Sequence, residues 1–213
     1  MSFPVLVLGE SGTGKSDAMR DLDPTNTLLV NPLGKPIPFD NPAWQEFNPE
    51  TKQGNIFATD KPSEIITYMQ GTKRKVIVVD DYQYILANEL MRRYQERGYD
   101  KFSEIGFNGW NIVMTAAKLA KDVRVYFLAH TTTDDSGKIK IKTPGKLLDT
   151  YSVEGMFTMV LRTMVQDGEY YFRLKNCGFD TVKCPRGMFE GETIPNDLNL
   201  VDKAICKRLG VEG

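Results

Sequence analysis

The chain reads as an α/β protein: a mostly parallel central sheet flanked by helices, with antiparallel hairpins toward the carboxyl end. Short apolar runs within Pro4–Leu8, Thr27–Asn31, Lys75–Asp80 and Val123–Ala129 have the length and composition of strands buried on both faces. Segments with apolar residues at helical spacing alternate with these runs. Period-two segments, Lys138–Lys142 and the arms around Gln166-Asp-Gly168, come only after the last of them.

Taken in order, Pro4–Leu8 opens the sheet, Gly9–Ser16 is a glycine-rich loop, and Asp17–Leu22 is expected to continue as a short helix. Thr27–Asn31 is a second buried strand, broken by Pro32 and by the turn-rich Gly34-Lys-Pro-Ile-Pro38. Residues 40–62 have few periodic apolar positions and are expected to be irregular surface. Ser63–Gln70 is a helix with Ser63 as its cap. Lys75–Asp80 is a core strand ending in acid. In the Tyr82–Arg97 helix, Leu86, Leu90 and Tyr94 recur on one face, and Gly98 is the stop. Trp110–Lys121 carries a second helical stripe through Val113, Ala117 and Ala120. After the Val123–Ala129 strand, Asp134-Asp-Ser-Gly137 turns the chain into Lys138–Lys142. Met156–Val165 and Glu169–Lys175 are the arms of a hairpin, with Tyr170, Phe172 and Leu174 on one face and Tyr171, Arg173 and Lys175 on the other. Asn196–Leu209 closes as a helix with Leu198, Val201, Ile205 and Leu209 on one side and Gly210 as its stop. There is no internal repeat and no long linker, so residues 1–213 are read as one domain.

Composition narrows the class. With 41% apolar and 26% charged residues, the chain is neither a disordered tail nor a membrane span. The amino terminus has no basic region ahead of its apolar run, so it is read as a buried strand and not a signal peptide. The odd count of 3 cysteines, Cys177, Cys184 and Cys206, without tight metal spacing, points to reduced thiols and a cytoplasmic protein. The 27 basic and 28 acidic residues nearly cancel, so any polyanion must be held by a local patch.

The strongest motif is Gly9-Glu10-Ser11-Gly12-Thr13-Gly14-Lys15-Ser16, which matches G-x-x-x-x-G-K-[ST] between a strand and a helix. Gly9, Gly12 and Gly14 let the backbone wrap so that successive N–H groups face phosphate oxygens, and the start of the following helix adds its positive end. Lys15 is placed for the β- and γ-phosphates of a nucleotide and the Ser16 hydroxyl for Mg²⁺. A second acid for the metal is expected at the end of a nearby strand, where Asp80 stands. Asp81 either orients or deprotonates an attacking water or caps the next helix. No guanine-reading Asn-Lys-x-Asp is present, so ATP is the expected nucleotide.

The order of glycine loop, acid-ended strand, further strand with a polar end and hairpin resembles the RecA-type P-loop ATPase core. More closely, the chain resembles the short phage nucleotide-binding proteins with a RecA-like core that are grouped with single-strand annealing recombinases. The likeness runs through the glycine loop, Val30–Phe39, Val76–Asp81, Phe127–His130, Lys140–Asp149, Glu154–Phe157 and Ile194–Leu198, nearly the whole chain. It implies an ATP-hydrolysing DNA recombination protein, phage-encoded and acting in the host cytoplasm. The implied partners are single-stranded DNA, further copies of the chain with ATP near a subunit boundary, and a phage single-strand binding protein.

It also implies roles for residues. His130, the only histidine, falls at the γ-phosphate sensor position. Lys138, Lys140, Lys142 and Lys146 fall in the segment that contacts DNA; the same lysines also suit a solvated edge strand. Arg173 and Lys175 match groups sent across a subunit boundary to a neighbour's γ-phosphate. Two departures stand out. Asn31-Pro-Leu replaces the glutamate that activates water in RecA proteins, which leaves Asp81, Glu50 or slow hydrolysis. The chain also opens directly on its first strand, so the element that links protomers in filaments is not expected. A replication or packaging motor or helicase loader, a small-molecule kinase and a nucleotide switch remain as alternatives.

Overall fold

The structure is a computed structural model that describes residues 1–144 and 152–212. In chain order its strands are β1 (Phe3–Gly9), β2 (Thr27–Val30), β3 (Ile56–Phe57), β4 (Val76–Val79), β5 (Arg124–Thr133), β6 (Ile139–Ile141), β7 (Met159–Gln166), β8 (Glu169–Arg173) and β9 (Thr193–Pro195). The helices are α1 (Pro62–Gly71), α2 (Tyr82–Arg92), α3 (Asp100–Lys118) and α4 (Leu198–Leu209). The sheet runs β3-β2-β4-β5-β1-β7-β8-β9, and β6 pairs with the far end of β5. Pairing is parallel from β3 to β7 and antiparallel beyond it.

The apolar runs form strands because each must satisfy two faces. In β1, Leu6 and Leu8 pack with α1, α2 and α3 through Ile65, Ile85 and Ile112, while Val5 and Val7 pack with α4 through Val201 and Ile205. A run with no polar side is stable only at such a position. β2, β4 and the start of β5 divide in the same way. Side chains close the helix ends. Lys101 Nζ donates to Arg93 O at 3.3 Å and Glu96 O at 2.6 Å, beyond the end of α2. Asp197 caps α4 by accepting from Asn199 N at 2.7 Å, and Gly210 ends it in the left-handed conformation.

Several expectations are corrected. The segment after the glycine loop is a 3-10 turn over Asp17–Met19, not a helix to Leu22. α1 begins at Pro62 behind Lys61, and Ser63 does not cap it. α2 ends at Arg92 and α3 begins at Asp100, where helices over Tyr82–Arg97 and Trp110–Lys121 were expected. Residues 40–62 are not mere surface. They contain β3, and Trp44, Ile56 and Phe57 are buried, Trp44 edge-on to Phe39 and Phe57 stacked on Phe47. Isolated aromatic anchors in a proline-rich loop hold it to the sheet without any periodic pattern. The Gln166-Asp-Gly168 hairpin forms as expected, with Asp167 and Gly168 both at positive φ. Among the described residues no helix is long and apolar enough to cross a membrane.

Candidate functional site

The parallel strands β1, β4 and β5 end on one side of the sheet, and the crevice beyond such ends is where open α/β sheets bind ligands. Here β1 releases the glycine loop, β4 releases Asp80 and Asp81, and β5 reaches His130 in register with Gly9. A cavity of about 460 Å³ opens there, bordered by Gly12, Lys15, Ser16, Lys35, Asp81 and His130, with the Tyr170 ring at its rim.

The loop is held from behind. Thr163 on β7 donates its hydroxyl to Thr13 Oγ1 at 2.5 Å and lies 3.3 Å from Leu8 O, so close to Gly9 that a Cβ there would collide with its hydroxyl. Asn196 Nδ2 donates to Gly14 O at 2.8 Å. Glu10 and Ser11 are exposed, and the Thr13 hydroxyl donates to Glu10 O at 2.8 Å. Lys15 is buried and turns its Nζ into the loop, onto Gly9 O at 3.0 Å and Glu10 O at 2.6 Å. With three donors on an ammonium, one remains for an incoming anion. Burial pushes the Lys15 ammonium below its ordinary range, and the charges of Asp81 and Asp80 pull it partly back. Since the following 3-10 turn has only 3 residues, the helix-end contribution expected for an anion shrinks, and loop N–H groups and Lys15 must carry it.

Ser16 Oγ donates to both oxygens of Asp80, at 3.0 and 2.8 Å, joining the loop to β4. Burial and then the neighbouring Asp81 charge push the Asp80 carboxyl upward. Among the described residues no cluster of three or more His, Cys, Asp or Glu could cage a metal. One hydroxyl and one carboxylate still suit a small hard cation, because Mg²⁺ is commonly bound by one or two protein oxygens together with substrate phosphates and water.

Asp81 stands at the cap position of α2 with φ 50° but makes no side-chain cap hydrogen bond. Its carboxylate accepts from Lys35 Nζ on one oxygen, and His130 Nε2 lies 3.3 Å from the other. Burial raises this carboxyl, but the hydrogen bonds from His130 and Lys35 outweigh it and hold it at about 2. The His130 backbone N–H donates to Gln83 Oε1 at 3.0 Å, and His130 O accepts from Lys142 N at 2.8 Å. Glu50 sits in an exposed turn, away from the cavity.

The other expected residues are spread out. Beyond His130, β5 leaves the sheet and pairs with β6 through Thr131–Thr133. Lys138 and Lys140 border a hollow of about 380 Å³ with Asp134, Glu154 and Lys183, and Lys142 borders a different one beside Gln83 and His130. Lys146 lies outside the described residues. Arg173 pairs opposite Arg162 on β8 and donates to Lys175 O at 3.0 Å, while Lys175 Nζ is 3.9 Å from Glu192. Neither borders the cavity of its own chain.

Sequence reasoning missed Lys35, Thr163, Tyr170, Lys183 and Asn196. Only Lys35 left a signal there, as a cation in a proline-bounded turn just past a buried strand. No known family model matches the chain, and no curated protein matches it.

Proposed function

We propose that this chain is a Mg²⁺-dependent ATPase with a RecA-like core that binds single-stranded DNA and promotes strand annealing or pairing. One observation carries the reading: the glycine loop, Ser16 and His130 border a single cavity, Ser16 is hydrogen-bonded to the buried Asp80, and the strand bearing His130 continues directly into the lysine-bearing hairpin. β5 lies between the loop strand β1 and the acid strand β4, so one polar strand end faces both.

In this reading the loop N–H groups and Lys15 bind the β- and γ-phosphates, and Ser16 and Asp80 hold the metal shell. Bound Mg²⁺ supplies charge neutralisation on the phosphate oxygens. Water attacks the γ-phosphorus in line; its P–O bond forms as the bond to the β–γ bridging oxygen breaks, and the water's proton passes to an oxygen of the transferred phosphate, giving ADP and inorganic phosphate. Asp81, held ionised and already occupied by Lys35 and His130, is a weak proton acceptor, so its part is to orient His130 and the water. His130 donates to the terminal phosphate when it is present and returns to Asp81 when it leaves. Lys138, Lys140 and Lys183 offer cations to a nucleic-acid backbone, a salt-sensitive and sequence-tolerant attachment.

The test is ATP turnover with Mg²⁺, with and without single-stranded DNA, beside Lys15→Ala. Turnover that rises with DNA and vanishes in Lys15→Ala supports the reading. Turnover indifferent to DNA removes the recombination part, and turnover that survives Lys15→Ala removes the site.

A further inference from the structure

The loop after β2 lacks an acid at Asn31-Pro-Leu, yet it is not chemically silent: it delivers Lys35 into the wall of the nucleotide cavity. The delivery is built. Asn31 is buried, its N–H donates to Phe57 O at 2.9 Å, and its Nδ2 donates to Lys35 O at 2.7 Å. Gly34 N closes the turn onto Asn31 O at 3.2 Å, and Pro36 restricts the backbone immediately after. The Lys35 backbone is therefore fixed by hydrogen bonds that do not use its ammonium.

The side chain itself can move. It is 43% exposed, whereas the Asp81 side chain that receives it is 3% exposed and anchored at the end of β4. Lys35 borders the cavity together with Ser11, Gly12 and Lys15, and also a second hollow of about 610 Å³ over Phe39 and Trp44. A lysine with a solvated route available has instead laid its ammonium on a buried carboxylate at the cavity wall. The other oxygen of that carboxylate lies 3.3 Å from His130 Nε2, so Asp81 holds both groups at the cavity wall.

We propose that Lys35 is a second cationic contact for the terminal phosphate of the bound nucleoside triphosphate, supplied in cis from the β2 loop and held in waiting by Asp81. The inference rests on the nucleotide reading of the glycine loop. A γ-phosphate carries more negative charge and more acceptor oxygens than Asp81, so its arrival moves the Lys35 ammonium from one anion to the other without moving the backbone. Asp81 is then left to water, because His130 turns to the same phosphate. A diphosphate ends short of this position and leaves the Lys35–Asp81 pair closed. Lys35 thereby separates ATP from ADP, and places positive charge where negative charge grows during phosphoryl transfer.

The experiment is a fluorescence titration of ATP and of ADP, each with Mg²⁺, against the natural chain, Lys35→Ala, Lys35→Met, Lys35→Arg and Lys15→Ala, followed by single-turnover hydrolysis. Loss of one charge-assisted contact predicts ATP binding weakened about 10- to 100-fold in Lys35→Ala and Lys35→Met. ADP binding should change by less than about 3-fold, and hydrolysis should fall about 100-fold or more. Lys35→Arg should restore most of the ATP preference. Retained ADP binding also reports that a variant is folded, and Lys35→Met keeps the packing of the stem. Equal weakening for ATP and ADP overturns the proposal and makes Lys35 only a clamp on Asp81. Unchanged ATP binding in Lys35→Ala, with Lys15→Ala dead, overturns Lys35 alone. A natural chain that binds neither nucleotide overturns both the site reading and the proposal.

Discussion

The start of β5 is tied to α4 by a buried ion pair whose loss has a calculable effect. Arg124 is 0% exposed and Asp202 6%. Arg124 Nε and Nη2 donate to the two Asp202 oxygens at 2.9 and 2.7 Å, the Tyr126 hydroxyl donates to the same carboxylate at 2.6 Å, and Arg124 Nη1 donates to Asp122 O at 2.7 Å. Asp202→Ala strands a guanidinium where water cannot follow, a loss of about 3–5 kcal/mol. It also orphans the Tyr126 hydroxyl, alone worth about 1–3 kcal/mol and not fully additive. A total near 5 kcal/mol, at about 2–4 °C per kcal/mol for a chain of this size, lowers Tm by roughly 10–20 °C. Replacing the whole set with Arg124→Met, Tyr126→Phe and Asp202→Leu removes the stranded groups and should return stability to within about 2 kcal/mol of the natural chain. Urea unfolding followed by far-ultraviolet circular dichroism and by the fluorescence of Trp44 and Trp110 reads both. The reasoning fails if Asp202→Ala loses less than about 1 kcal/mol, or if the triple variant is as weak as the single one.

Two further outcomes follow from local geometry. Gly9→Ala forces a methyl against Thr163 Oγ1, so it should destabilise by about 1–3 kcal/mol, and by clearly less in a Thr163→Ala background; a double-mutant cycle that comes out additive refutes the contact. Burial pushes the Cys184 thiol up to about 11 and also raises Cys206, while Cys177 is exposed. Because only the thiolate alkylates, iodoacetamide at pH 8 should modify Cys177 well before the other two, as read by peptide mass spectrometry; comparable labelling of Cys184 contradicts its burial.

Much of this was legible in the chain itself, for physical reasons that also mark where legibility stopped. β1, β2, β4 and β5 are buried on both faces, which leaves an unbroken apolar run, and the loop motif and Asp80 sit at the ends of two such runs. The first half of α3 was hidden because Gly106 and Gly109 weaken helical propensity. At Gly109 a Cβ would meet Leu86 and the Tyr82 hydroxyl at 2.8 Å, so the residue that looks like a breaker is what lets α2 and α3 close together. Trp44 and Phe57 were hidden because single anchors in a loop carry no period. Thr163 and Asn196 join the site only through tertiary approach from β7 and the turn before α4, which no local spacing encodes; Lys35, from the β2 loop, left only the mark of a cation in a proline-bounded turn.

The placement of β1 between β5 and β7 also has a consequence during synthesis. Its neighbours begin at Arg124 and Met159, so both leave the ribosome more than a hundred residues after Phe3–Gly9 has emerged. At about 5–20 residues per second, that apolar strand waits roughly 5–20 s or more before its first partner exists. The residues that brace the glycine loop, Thr163 and Asn196, arrive later still. The earliest-made part of the site is therefore finished among the last, and through that interval the nascent chain carries an unpaired, β-prone segment that something other than its own sheet must shield.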